Sequence, residues 1–114
     1  MNLNDDFISA WEGISHIVYQ NSDEHGFHAG YQNLFPIKIA LIHSEISEAL
    51  EAHRCGVSKD DKIPDFSGAE AELADAVIRI MDLAHIHNLR LGEAIIAKMK
   101  YNSGREFMHG GKSY

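Results

Sequence analysis

Leu41-Ile-His-Ser-Glu45-Ile-Ser-Glu48-Ala-Leu-Glu51-Ala-His-Arg54-Cys-Gly56 decides the fold. With Phe35 and Ile39 ahead of it, the stretch places apolar side chains at Ile42, Ile46, Ala49 and Leu50. Steps of three and four between apolar residues mark one face of an α-helix. Pro36 falls in the first turn, where a missing N–H costs nothing, and Gly56 stands where a helix commonly ends. The pattern predicts a helix from about Asn33 to Cys55. Residues 57–67 are polar, carry Pro64 and read as a connection. Ser67 followed by Glu70 has the spacing of a capping box and opens a further helix to about Asn88. Its expected buried stripe is Leu73, Ala74, Val77, Ile80, Met81 and Ala84.

Outward from this pair the same reasoning gives two more helices. Phe7, Ile8, Trp11, Ile14, Ile17 and Val18 share a face over about Asp5 to Asn21, with Asn4 or Asp5 as the expected cap. Residues 21–32, with Gly26 and Gly30, read as loop. Leu91, Ala94, Ile95 and Met99 mark a helix from Leu91 to about Phe107, after a break at Asn88–Arg90 and before a glycine-rich tail. No segment alternates with period two. The expected fold class is therefore all-α, a bundle of about four helices in a single domain over residues 1–114.

Composition narrows the function. The formal net charge is −7, which argues against a passive binder of nucleic-acid polymers, because that role calls for a basic face. Cys55 is the one cysteine, so no disulfide framework and no cysteine-rich zinc site can form within the chain. The N-terminus is acidic and lacks an apolar leader, and no run approaches the roughly 20 apolar residues that span a bilayer. The expectation is a cytoplasmic protein with no membrane association.

The chemistry sits on the two central helices. Glu45 and Glu48 are three apart, as are Glu72 and Asp75, so each pair points two carboxylates one way. Such pairs are common on exposed helix faces. Here each is flanked by apolar residues: Ile42, Ile46 and Leu50 for the first, Leu73, Ala74 and Val77 for the second. If the helices are neighbours, four carboxylates meet and need a cation. Oxygen ligands suit Mg²⁺, with Mn²⁺ as a substitute. Lys38 is two turns before Glu45 on the same side. Lys98, Asn102 and Arg105 share a face of the last helix if that helix continues. A lysine and an arginine flanking an asparagine suit phosphate oxygens. A solvated basic stripe near a helix C-terminus would look the same.

Taken together, E-x-x-E at Glu45 and Glu48, E-x-x-D at Glu72 and Asp75, and K-x-x-x-N-x-x-R at Lys98, Asn102 and Arg105 resemble the MazG-type all-α nucleoside triphosphate pyrophosphohydrolases over about residues 33–110. The resemblance implies a helical bundle assembling as a homodimer or homotetramer. It implies Mg²⁺ on Glu45, Glu48, Glu72 and Asp75, and hydrolysis of a nucleoside triphosphate to the monophosphate and pyrophosphate. Glu45 or Glu48 would position the water. Lys38, Lys98, Asn102 and Arg105 would bind the substrate. Base and sugar stay open: Trp11, Phe27, His28 and Tyr31 could form a base-stacking wall, but such residues more often serve helix packing.

Two other classes compete. Asp82-Leu-Ala-His85 is an acid-x-x-His, as in carboxylate-bridged di-iron bundles, but neither E-x-x-E nor E-x-x-D carries the histidine that site needs. A non-catalytic helical interaction module would tolerate loss of all four acids and gain no stability from Mg²⁺.

Overall fold

The computed structural model describes residues 2–104. Those residues form helix α1 (Leu3–Glu24), a 3₁₀ turn (Gly30–Asn33), α2 (Phe35–Arg54), α3 (Gly68–Ile86) and α4 (Leu91–Ser103), with no strand among them. The all-α expectation holds. No described helix is long and apolar enough to cross a membrane.

The helix ends follow from local chemistry. Ser67 caps α3: its hydroxyl accepts the Glu70 N–H at 3.2 Å, and Glu70 accepts the Ser67 N–H at 3.1 Å. That reciprocal bond holds the Glu70 carboxyl below its ordinary value. Gly56 sits at φ 66°, past the end of α2. The Val57 N–H returns to the Ala52 carbonyl at 3.0 Å and the Gly56 N–H to His53 at 3.1 Å, closing the orphaned carbonyls. Asn88, at φ 55°, ends α3 the same way, with Leu89 N–H on Ala84 at 2.8 Å. At the start of α1 the cap is Asn2, whose Oδ1 accepts the Asp5 N–H at 2.9 Å. The expected caps, Asn4 and Asp5, lie inside the helix, which begins two residues earlier than its apolar pattern shows. Likewise α2 begins at Phe35 rather than Asn33, whose backbone belongs to the 3₁₀ turn. The fourth helix closes on Gly104. Its expected continuation to Phe107, with Arg105 and the tail, lies outside the described residues.

The described residues fall into two compact units, one of residues 14–89 and one of residues 2–13 with 90–104. In the second, α1 meets α4 at Gly92, where an added Cβ would stand 3.2 Å from Trp11 Cδ1. Trp11 also packs on Phe7, ring centroids 5.8 Å apart. Trp11 is thus a helix-packing residue.

In the larger unit α2 and α3 form an antiparallel hairpin. The start of α2 meets the end of α3 at Lys38 and Asp82, and the end of α2 meets the start of α3 at Ala52 and Gly68. The crossing is close because it is lined by small residues. A Cβ on Gly68 would lie 2.9 Å from Val57 Cγ1 and 3.1 Å from Ala52 Cβ.

Among the described residues, Ala49, Ala71, Ala76, Met81, Leu83 and Ala84 are the buried hydrophobic ones. The expected α3 stripe is therefore corrected in part: Met81 and Ala84 are inside, but Leu73 is 49% and Val77 43% exposed. Lys38, Glu45 and Asp82 occupy the inner face instead, at 4%, 8% and 4% exposure. Charges can take that place because they pair there across the hairpin.

Candidate metal centre

Two ion pairs cross the hairpin. Lys38 Nζ donates to Asp82 Oδ2 at 2.8 Å, and Arg79 Nε donates to Glu45 Oε1 at 2.9 Å. One turn further toward the start of α3, Glu72 and Asp75 come up against Glu45. One carboxylate oxygen from each of Glu45, Glu72 and Asp75 lies within 4.8 Å of the other two. Glu48 is exposed and outside this triad, but its negative charge acts on Glu72.

The electrostatics are those of a site short of positive charge. Burial works to raise the Glu45 carboxyl. The hydrogen bond and charge of Arg79, with the hydrogen bonds shared with Glu72 and Glu48, outweigh it and hold Glu45 below its ordinary value. Glu72 is pushed up to about 7, first by the hydrogen bond shared with Glu45, then by burial and by the negative charge of Glu48 and Glu45. Burial, followed by the Glu45 charge, raises Asp75. Glu45 Oε2 is buried and meets no hydrogen-bond donor. A proton on Glu72 is the local remedy, and a cation is the alternative. The donor set is all carboxylate oxygen, with no sulfur or imidazole among the described residues, which fits Mg²⁺ or Mn²⁺.

Of the residues singled out from sequence, the fold brings Glu45, Glu72 and Asp75 together and places Glu48 at their edge. Lys38 is on the expected side of α2, but its ammonium is held by Asp82 in a pair where both side chains are 5% exposed. Lys98 and Asn102 share a face of α4 in the other unit, with Lys98 Nζ 5.4 Å from the Tyr101 ring centroid. Arg105 lies outside the described residues.

Two residues here carry roles the sequence reading did not give them. Arg79 balances Glu45. Glu72, Asp75, Arg79 and Asp82 follow one another at steps of three, four and three, so a cation on the acid face was visible in the spacing. His28 closes over Asp82, its Nε2 2.9 and 3.1 Å from the two carboxylate oxygens, and stacks on Tyr19 at 4.8 Å. The acid of Asp82-Leu-Ala-His85 is therefore engaged by Lys38 and His28, and His85 instead faces His16 at 3.4 Å. No family model, no curated protein and no solved structure matches the chain.

Proposed function

We propose that the chain is a Mg²⁺-dependent nucleotide pyrophosphohydrolase, cleaving a nucleoside triphosphate between the α- and β-phosphates. The observation that carries this reading is the triad of Glu45, Glu72 and Asp75, with a buried, unpartnered oxygen on Glu45. The resemblance in the E-x-x-E and E-x-x-D motifs supplies the reaction class.

Glu45, Glu72 and Asp75 would hold the cation, Arg79 fixing the Glu45 carboxylate in place from behind. Mg²⁺, when bound, neutralises phosphate charge and polarises the bond to be broken. Glu48 stands beside the triad rather than in it, the position for a carboxylate that orients a water and takes its proton. Lys98, Asn102 and Arg105 remain the candidate phosphate ligands by resemblance. The chain needs a second copy in this reading. The apolar residues Ile63, Phe66, Leu73 and Val77, 43–51% exposed on one side of the hairpin, support that. Sedimentation as a monomer at every concentration would remove the second copy from the proposal.

The test is pyrophosphate release from a panel of nucleoside triphosphates. Release should require Mg²⁺. Glu48→Gln should keep the thermal stabilisation by Mg²⁺ and lose about 10²–10⁴ in rate, the usual contribution of a positioned base. Full activity in Glu48→Gln would transfer the role to another group, and a panel with no release at all would end the hydrolase reading.

A further inference from the structure

Beside the carboxylate cluster lies a pocket of about 150 Å³, lined by Ser22, Phe27, Lys38, Ile78, Arg79 and Asp82. We propose that this pocket is the base subsite and that it takes a single-ring base, a pyrimidine. That the ligand is a nucleotide rests on the function proposed above; the ring size and its recognition rest on the pocket.

Position comes first. Arg79 lines the pocket and at the same time donates to Glu45. One side chain is thus shared by the pocket and the cluster, which makes the two neighbours on the hairpin.

Size comes next. A cavity of about 150 Å³ accepts a benzene-sized ring. A pyrimidine with its exocyclic groups is of that class, whereas a purine would leave its second ring outside.

The walls suit a flat heterocycle. Phe27 is 57% exposed and Ile78 45%, giving an aromatic and an aliphatic surface. Bases stack on aromatic faces, at roughly 1–3 kcal/mol per base.

The floor is polar and fixed. Lys38 Nζ spends one of its three N–H groups on Asp82. Asp82 accepts from Lys38 and His28, and an ionised carboxylate has about four acceptor sites. A spare donor thus stands next to a spare acceptor. The edge of a pyrimidine offers the complement: an amino or imide N–H beside a carbonyl or ring-nitrogen acceptor. Both floor residues are buried and held by bonds of 2.8–2.9 Å, so little ordering remains to be done on binding.

A further hollow on the hairpin, between Ile63, Phe66, Leu73, Ala74 and Val77, lacks such a floor. Its one charged residue, Glu70, is committed to the Ser67 cap.

The test titrates cytidine, uridine and adenosine into the full chain without Mg²⁺, read by chemical-shift change. Cytidine or uridine should bind at least tenfold more tightly than adenosine. Phe27→Ala, at an exposed position, should weaken pyrimidine binding at least fivefold at an unchanged melting temperature. Ile78→Phe, which fills the pocket, should abolish it. Adenosine binding as tightly as the pyrimidines, cytidine binding unchanged in Phe27→Ala, or no nucleoside binding at all would overturn the proposal. Turnover is not needed for this readout. Cytidine binding without pyrophosphate release would therefore sustain the pocket and end the hydrolase reading. Equal release from purine and pyrimidine triphosphates would sustain the hydrolase and overturn the pocket.

Discussion

Asp82→Ala is expected to destabilise the chain by about 3–5 kcal/mol, a large share of what a domain of this size has. The substitution strands the Lys38 ammonium at 5% side-chain exposure and removes the acceptor for His28. An unpaired buried charge costs far more than the pair contributed. The melting temperature should fall by at least about 10 °C. The companion variant separates charge from shape: Lys38→Met with Asp82→Leu removes both charges at similar volume and should recover most of the loss. A single variant melting within a degree or two of the parent would show that Asp82 is not the buried anchor described above.

The second large effect is on pH and metal together. Glu72 titrates at about 7 in the fold, above the ordinary 4.5 of a glutamate. A folded-state value above the unfolded one means that the stabilisation is complete below about 4.5 and is lost as pH rises through 7. Asp75 is displaced in the same direction and Glu45 in the opposite one. Without divalent cation, stability should therefore decline between pH 5 and 8, by on the order of 1 kcal/mol from Glu72 after allowing for solvent screening. Mg²⁺ requires the ionised carboxylates, so its stabilising effect should grow over the same interval. Glu72→Gln isolates the contribution of this group. It should melt higher than the parent at pH 8 without Mg²⁺, show a smaller pH slope, and lose the Mg²⁺ shift. A parent and a Glu72→Gln variant with the same slope would refute the shared-proton cluster.

The parts of this account that were legible in the sequence are the local ones. The Ser67–Glu70 cap and the Gly56 terminus depend on residues within one turn of each other, and both stand as read. The pairing of Glu45 with Glu72 and Asp75 was legible because spacing of three aims each pair along one helix face. What was not legible depends on contacts between distant segments. Lys38 and Asp82 are 44 positions apart, and His28 and Asp82 are 54. Periodicity assigns charged residues to the outside and Leu73 and Val77 to the inside. The fold does the reverse because the charges neutralise one another across the hairpin, while alanines and Gly68 let the helices approach. Asn2 escaped notice because a cap lies outside the apolar pattern that announces its helix.

The hydrolase reading depends on Glu45, Glu72 and Asp75 taking a divalent cation. Calorimetric titration of Mn²⁺ into the chain at pH 8, repeated with Glu72→Gln and with Asp75→Asn, tests that most directly. The account predicts saturable binding by the parent, weaker at pH 6, with affinity reduced at least tenfold in each variant. Absence of binding by the parent, or binding that both variants retain, would contradict it.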